Sequence, residues 1–121
     1  ALYLDAPVLN LLSWPLGLGE SKFASPDEFK RDIGISVSDM INYRNHPIDC
    51  KEVLLKSGIP IFLVCGDSDA VVPYNENGKL LSDYFKVNNG NLTEILKPHC
   101  DHHPHGLEDN TPLVEFVKKY Y

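Results

Sequence analysis

Ile59-Pro60-Ile61-Phe62-Leu63-Val64-Cys65-Gly66-Asp67-Ser68-Asp69-Ala70-Val71-Val72-Pro73 is the most informative stretch of the chain. From Ile59 to Val64 it runs apolar and partly β-branched without a polar break, the pattern of a strand buried on both faces in a parallel sheet. Gly66 ends it, and an acidic, small-residue turn follows. In open α/β sheets ligands bind beyond the carboxyl ends of the strands, so a carboxylate held there is a site candidate. Asp67 and Asp69 are equally suited to initiating a turn, which Asp does often.

Outward from this strand the chain reads as alternating elements. Ala1 to Leu4 is a short apolar strand whose carboxyl end carries Asp5, stopped by Pro7, which lacks a ladder donor. Val8 to Glu20 holds Pro15, Gly17 and Gly19 and is a loop too apolar for plain solvent exposure. Ser25-Pro26-Asp27-Glu28 predicts a helix start that Gly34 ends. Ser36 or Ser38 begins a second small helix halted before Pro47. Asp49 is placed to cap a third over Cys50 to Lys56, closed near Gly58. Leu80, Leu81, Tyr84 and Phe85 set helical spacing within Tyr74 to Val87. Leu92 to Leu96 alternates, as an outer strand does. Thr111-Pro112 opens a last helix with Leu113, Val114, Phe116 and Val117 on its buried side. The expected fold class is α/β, with about three parallel strands flanked by helices.

The acid loop Gly66-x-x-Asp69-x-x-Val72-Pro73 and the later Cys100-Asp101-His102-His103-Pro104-His105-Gly106-Leu107 together resemble the α/β-hydrolase superfamily. Members place the triad acid four residues before a proline and the catalytic His after the last strand, in that chain order. Leu4-Asp5-Ala6-Pro7-Val8 and Ser13-Trp14-Pro15 are similar to the strand and loop after the nucleophile elbow of esterase-like members. The resemblance spans nearly the whole chain. It implies a Ser-His-Asp triad with Asp69 as acid and His102 as base, His103 and Asp5 being the runners-up and Asp67 a weaker third acid. It also implies that residues 8–56 form a small helical lid. Asp101 stands where many relatives have Gly before the His.

No Gly-x-Ser-x-Gly occurs, and none of Ser13, Ser21, Ser25, Ser36, Ser38, Ser57, Ser68 or Ser82 sits on a glycine elbow between strand and helix. At 121 residues the chain has roughly half the length of a complete α/β-hydrolase. The expectation is therefore a C-terminal portion, residues 1–121, of a serine hydrolase whose nucleophile and oxyanion hole lie upstream. The substrates implied are small-molecule or carbohydrate-linked carboxylic esters, with a peptidase of the prolyl-oligopeptidase type as another branch of the resemblance. Trp14 and Tyr74 could stack on a sugar or aromatic acyl group, although packing explains each as well. No cofactor is expected. The unpaired strand at residues 1–4 is a surface for self-association or for the upstream part of the same hydrolase.

Other classes are constrained by composition. With 43% hydrophobic residues there is enough for a core, and a net charge of −6 without a basic run argues against nucleic acid or an anionic membrane as partner. No apolar run reaches the ~20 residues of a membrane span. Cys50, Cys65 and Cys100 describe no disulfide framework, although Cys65 and Cys100 lie beyond predicted neighbouring strands. His99, His102, His103 and His105 with Cys100 and Asp101 supply metal-ligand side chains. They come from one short segment, not the two separated ligand pairs of a zinc knuckle, so no metal is expected. A hydrolase-like interaction module without activity is the first alternative, and a His-rich metal-binding domain a weaker one.

Overall fold

A computed structural model describes all 121 residues as a three-stranded parallel sheet flanked by helices. The strands are β1 (Leu2–Asp5), β2 (Ile61–Gly66) and β3 (Leu92–Lys97), ordered β1-β2-β3 with β2 in the centre. Leu2 pairs with Ile61 and Ile61 with Leu92, and the register runs on to Gly66 opposite Lys97. All six residues of β2 are buried, as its unbroken apolar run requires. The strand starts two residues later than the sequence suggested. Pro60 has no N–H to give a ladder, and Ile59 is exposed.

Alternation along β2 divides the core. Ile61 points to a layer with Leu9, Leu81 and Phe85, to which α3 (Lys51–Ser57) and α4 (Gly78–Val87) contribute. Phe62 and Val64 point to the opposite layer against Phe116 of α5 (Thr111–Tyr120), with ring centroids of Phe62 and Phe116 5.1 Å apart. Burying a side chain of this size contributes about 1.5–3 kcal/mol. A third cluster, Leu16, Phe29 and Met40, lies within the long β1–β2 connection, which also contains α1 (Pro26–Ile33) and α2 (Val37–Ile41). That segment therefore has a small core of its own.

Several local expectations are corrected. Ser25 occupies the N-cap of α1 but its hydroxyl makes no capping bond, whereas Ser36 does accept from the Asp39 amide in α2. Asp49 does not cap α3. Its carboxylate takes the His46 amide at the head of a 3-10 turn, Pro47–Cys50. The helix expected from Tyr74 to Val87 is broken at Asn77, because that buried side chain is engaged elsewhere. Its Oδ1 accepts the amides of Leu9 and Asn10, and its Nδ2 donates to Ser13 Oγ and the Pro73 carbonyl. Of the residues expected beneath α5 only Phe116 is fully buried, and Val114 and Val117 are exposed. A helix on one sheet face needs one narrow stripe, here Leu113, Phe116 and Tyr120. All three cysteines are free thiols, so Cys65 and Cys100 do not pair.

Candidate functional site

Beyond the carboxyl end of β2, Asp69 closes a turn on itself. Its Oδ1 accepts the amides of Val71 and Val72 at 2.9 and 2.8 Å, the usual way an Asp side chain orders a turn. The other oxygen, Oδ2, lies 2.8 Å from Nδ1 of His102. The carboxylate is 2% exposed and the imidazole 17%. An acid this enclosed, with three donors on two oxygens, fixes both the ring orientation and its tautomer: Nδ1 carries the proton and Nε2 keeps a free lone pair. Nε2 has no hydrogen-bond partner within the chain.

The loop that delivers His102, between β3 and α5, is fastened to the Asp69 turn at several points. Asp67 N and Ser68 N donate to the carbonyls of Lys97 and Cys100. In exchange, Asp67 Oδ1 accepts the His99 amide and Asp101 Oδ1 accepts the Ala70 amide, at 2.7 and 2.8 Å. Asp101 also accepts the His102 amide, and these two backbone bonds hold its carboxyl below the ordinary value. That gives the Asp before His102 a role a glycine could not fill. Gly66 is required here by close approach, since a Cβ would stand 2.3 Å from the Cys100 carbonyl oxygen.

The remaining candidates fall apart. His103 does not contact Asp69; it is exposed and lies edge-on to His102 and His105. Asp5 does not meet His102 either. Its Oδ2 accepts the Gly106 amide at 2.7 Å, and Oδ1 is buried without a partner 3.8 Å from Nδ1 of His105. Asp67 is a staple between loops. Trp14 lines none of the clefts beside the pair, and its indole N–H donates to the Phe23 carbonyl. Tyr74 shares a cleft of about 310 Å³ with Asp67 and Asp69. Its hydroxyl is committed to Glu94 at 2.6 Å, and burial followed by that bond raises its pKa.

Phe23 and Val71 are the neighbours that sequence reasoning missed. With Asp101 they line a hollow of about 300 Å³ that includes His102 and His103. Phe23 is 63% exposed, an apolar ring left open beside the imidazole. The signal available was one aromatic among small and polar residues, Ser21 to Pro26. Cys65, although one strand position from the turn, is inert: burial, then Glu94, push its thiol up to about 12. A larger cleft of about 600 Å³ lies on the other side of the His-rich loop, reaching His105 but not His102.

What the pair can do is general acid–base chemistry on a group brought to Nε2 of His102. No serine of the chain makes a hydrogen bond to that imidazole: Ser68 bonds Asp67, Ser13 bonds Glu76 and Ser82 bonds Glu94. Comparisons with family models, curated proteins and solved structures return no match.

Proposed function

We propose that Asp69 and His102 are the acid and base of a serine-hydrolase triad of the α/β-hydrolase type, acting on carboxylic esters, with the nucleophile on polypeptide outside these 121 residues. The observation that carries this reading is the 2.8 Å contact from a buried carboxylate to Nδ1 of an imidazole whose Nε2 is free. Nε2 takes the proton of the attacking hydroxyl and later returns it to the departing alkoxide. Asp69 stabilises the imidazolium that forms between those steps.

Two further features support the reading. The outer edge of β1 has no partner strand, which leaves room for a parallel strand carrying a nucleophile turn beside the carboxyl ends of the sheet. Residues 8–56, with their own small core, are anchored directly on the acid turn: Ser21 Oγ donates to the Val71 carbonyl and the Lys22 amide to that of Ala70. In this reading they act as the lid, with Phe23 on the acyl or alkyl side of the ester and Tyr74 bordering the cleft near Asp69. Sugar-linked and simple esters both suit so open a hollow.

The test is a comparison of two lengths. The chain of 121 residues should hydrolyse an activated ester no faster than free imidazole and should not react with a serine-directed phosphonate. A longer polypeptide that adds a Gly-x-Ser-x-Gly strand-turn-helix should do both, and His102→Ala in it should abolish turnover. Stoichiometric phosphonylation of any serine in the short chain would defeat the proposal that the nucleophile comes from elsewhere.

A further inference from the structure

His102, His103 and His105 form a cluster in which one ring nitrogen from each lies within 4.8 Å of the others. Ring centroids are 4.6–5.0 Å apart, and every pair of planes is close to perpendicular, at 77–87°. Rings splayed in this way do not stack, and their lone pairs can converge from different directions. Sequence spacing excludes a zinc knuckle with two separated ligand pairs, but it does not exclude three imidazoles gathered by one loop. In a tetrahedral zinc site with bonds of about 2.0–2.1 Å, nitrogens stand about 3.4 Å apart. His103 and His105 are exposed, so rotation of their side chains can close the remaining gap.

Independent of that cluster are the carboxylates behind it. A metal-bound His characteristically donates its other ring N–H to a carboxylate or carbonyl, which orients the ring and raises its basicity. Asp69 does this for His102 at 2.8 Å. Asp5 is placed to do it for His105, with a buried, unpartnered Oδ1 at 3.8 Å from Nδ1. The loop between them is braced, since Lys97 Nζ donates to the carbonyls of Pro104 and Gly106, on either side of His105, both at 2.9 Å. Asp5, Asp67, Asp69 and Asp101 surround the loop with negative charge that favours a cation.

We propose that His102, His103 and His105 bind one divalent transition-metal ion of the zinc class, with Asp69 and Asp5 orienting the first and last of them. Three imidazole nitrogens leave a fourth position open to water, and nitrogen donors select Zn²⁺, Ni²⁺ or Cu²⁺ over Mg²⁺ or Ca²⁺. Binding rests on this geometry and not on the hydrolase reading. It occupies Nε2 of His102, the same atom that the hydrolase reading uses as base.

The experiment is a calorimetric titration of the 121-residue chain with zinc chloride, alongside Co²⁺ absorption and protection from diethyl pyrocarbonate. Expected are one Zn²⁺ per chain, an intense tetrahedral Co²⁺ spectrum, and zinc protection of His102, His103 and His105 but not His99. His103→Ala and His105→Ala should each weaken binding at least about tenfold, and Asp5→Asn by about tenfold. His99→Ala should leave affinity unchanged. These side chains lie at the surface or the strand end, and far-UV circular dichroism of each variant reports its fold. Absence of saturable zinc binding, affinity unaffected in the His103→Ala/His105→Ala double variant, or equal protection of His99 would each overturn the proposal. None of these readouts involves ester turnover, so the metal site and the hydrolase reading fail separately.

Discussion

Two strand ends of this sheet carry the same dipeptide, Asp-Ala, and each Asp faces an imidazole from the loop after β3. At Asp69-Ala70 the pair is closed, 2.8 Å to His102; at Asp5-Ala6 it is open, 3.8 Å to His105. The next residue accounts for the difference. Val71 has an amide that donates to Asp69 Oδ1, so the turn holds the carboxylate in place and presents Oδ2 to the ring. Pro7 has no amide to offer Asp5, and Ala6 stands at φ 42°. Asp5 is aimed instead by Gly106 N–H, with Tyr3 Oη a long 3.3 Å away, and one of its oxygens stays unpaired. A carboxylate and an imidazole that merely come near each other at a strand end are therefore not equivalent to a pair whose acid is locked by its own turn.

The two acids should differ most in what they contribute to stability. Asp69→Ala strands the buried Val72 amide, the Val71 amide and His102 Nδ1 together, and each lost bond to a buried charged acceptor costs about 1–3 kcal/mol. Only the Val72 amide is fully buried and the other two groups can be partly rehydrated, so the expected loss is about 2–4 kcal/mol by urea unfolding. Asp5→Ala removes one short bond and relieves an unpaired buried oxygen, so about 1 kcal/mol or less is expected. Equal losses at the two positions would mean that the turn at Asp69 does not do the holding assigned to it.

Gly66→Ala strains the loop that carries both histidines, close to His102 and farther from His105. The new Cβ would meet the carbonyl oxygens of Cys100 and Asp101 at 2.3 and 2.8 Å, and backbone does not swing aside as a side-chain end does. Overpacking of this kind costs about 1–3 kcal/mol. The loop must lift, so the 2.8 Å contact should lengthen and ¹⁵N spectra should show His102 sampling both tautomers. His105, already unbonded at Nδ1, should change little. A variant that keeps the His102 tautomer and loses no stability would show that the seat against Gly66 is unimportant.

How much of this could be read beforehand follows from the same particulars. β2 was legible because burial on both faces writes itself as an unbroken apolar run, and its start slipped only because Pro60 ends the ladder. The nearness of Asp69 and His102 was legible from a strand-end acid and a His-bearing segment after the next strand. What the pattern hid were contacts made by polar side chains over long separations. Asn77-Gly78 is a turn dipeptide and so a local sign of the break, but what the Asn77 side chain holds shows only once Leu9 and Asn10 are folded against it. The His105–Asp5 approach depends on Lys97 and Gly106 pulling the loop back, which no spacing encodes. Pro7 against Val71 was visible throughout, and it is the residue that separates the two acids.

The smallest expected effect comes from a third carboxylate, Glu94 in β3, which is half-buried and has donors but no imidazole. Burial raises its pKa, but bonds from Tyr74, Lys86 and Ser82 outweigh that, and the net value lies below the ordinary 4.5. A carboxyl whose folded pKa is depressed stabilises the protein above its unfolded value, and that contribution is lost as pH falls through the folded one. Glu94 therefore adds to stability at neutral pH and withdraws it in acid, below about pH 4.5. Glu94→Gln should cost little at pH 7, since the Lys86 partner is 62% exposed and such pairs contribute about 0.2–1 kcal/mol. It should also flatten the acid limb of a plot of urea midpoint against pH. Glu52, Asp101 and Asp109, also held below their ordinary values by hydrogen bonds, would keep a residual slope. An acid limb unchanged by Glu94→Gln would transfer the whole of it to those surface carboxyls.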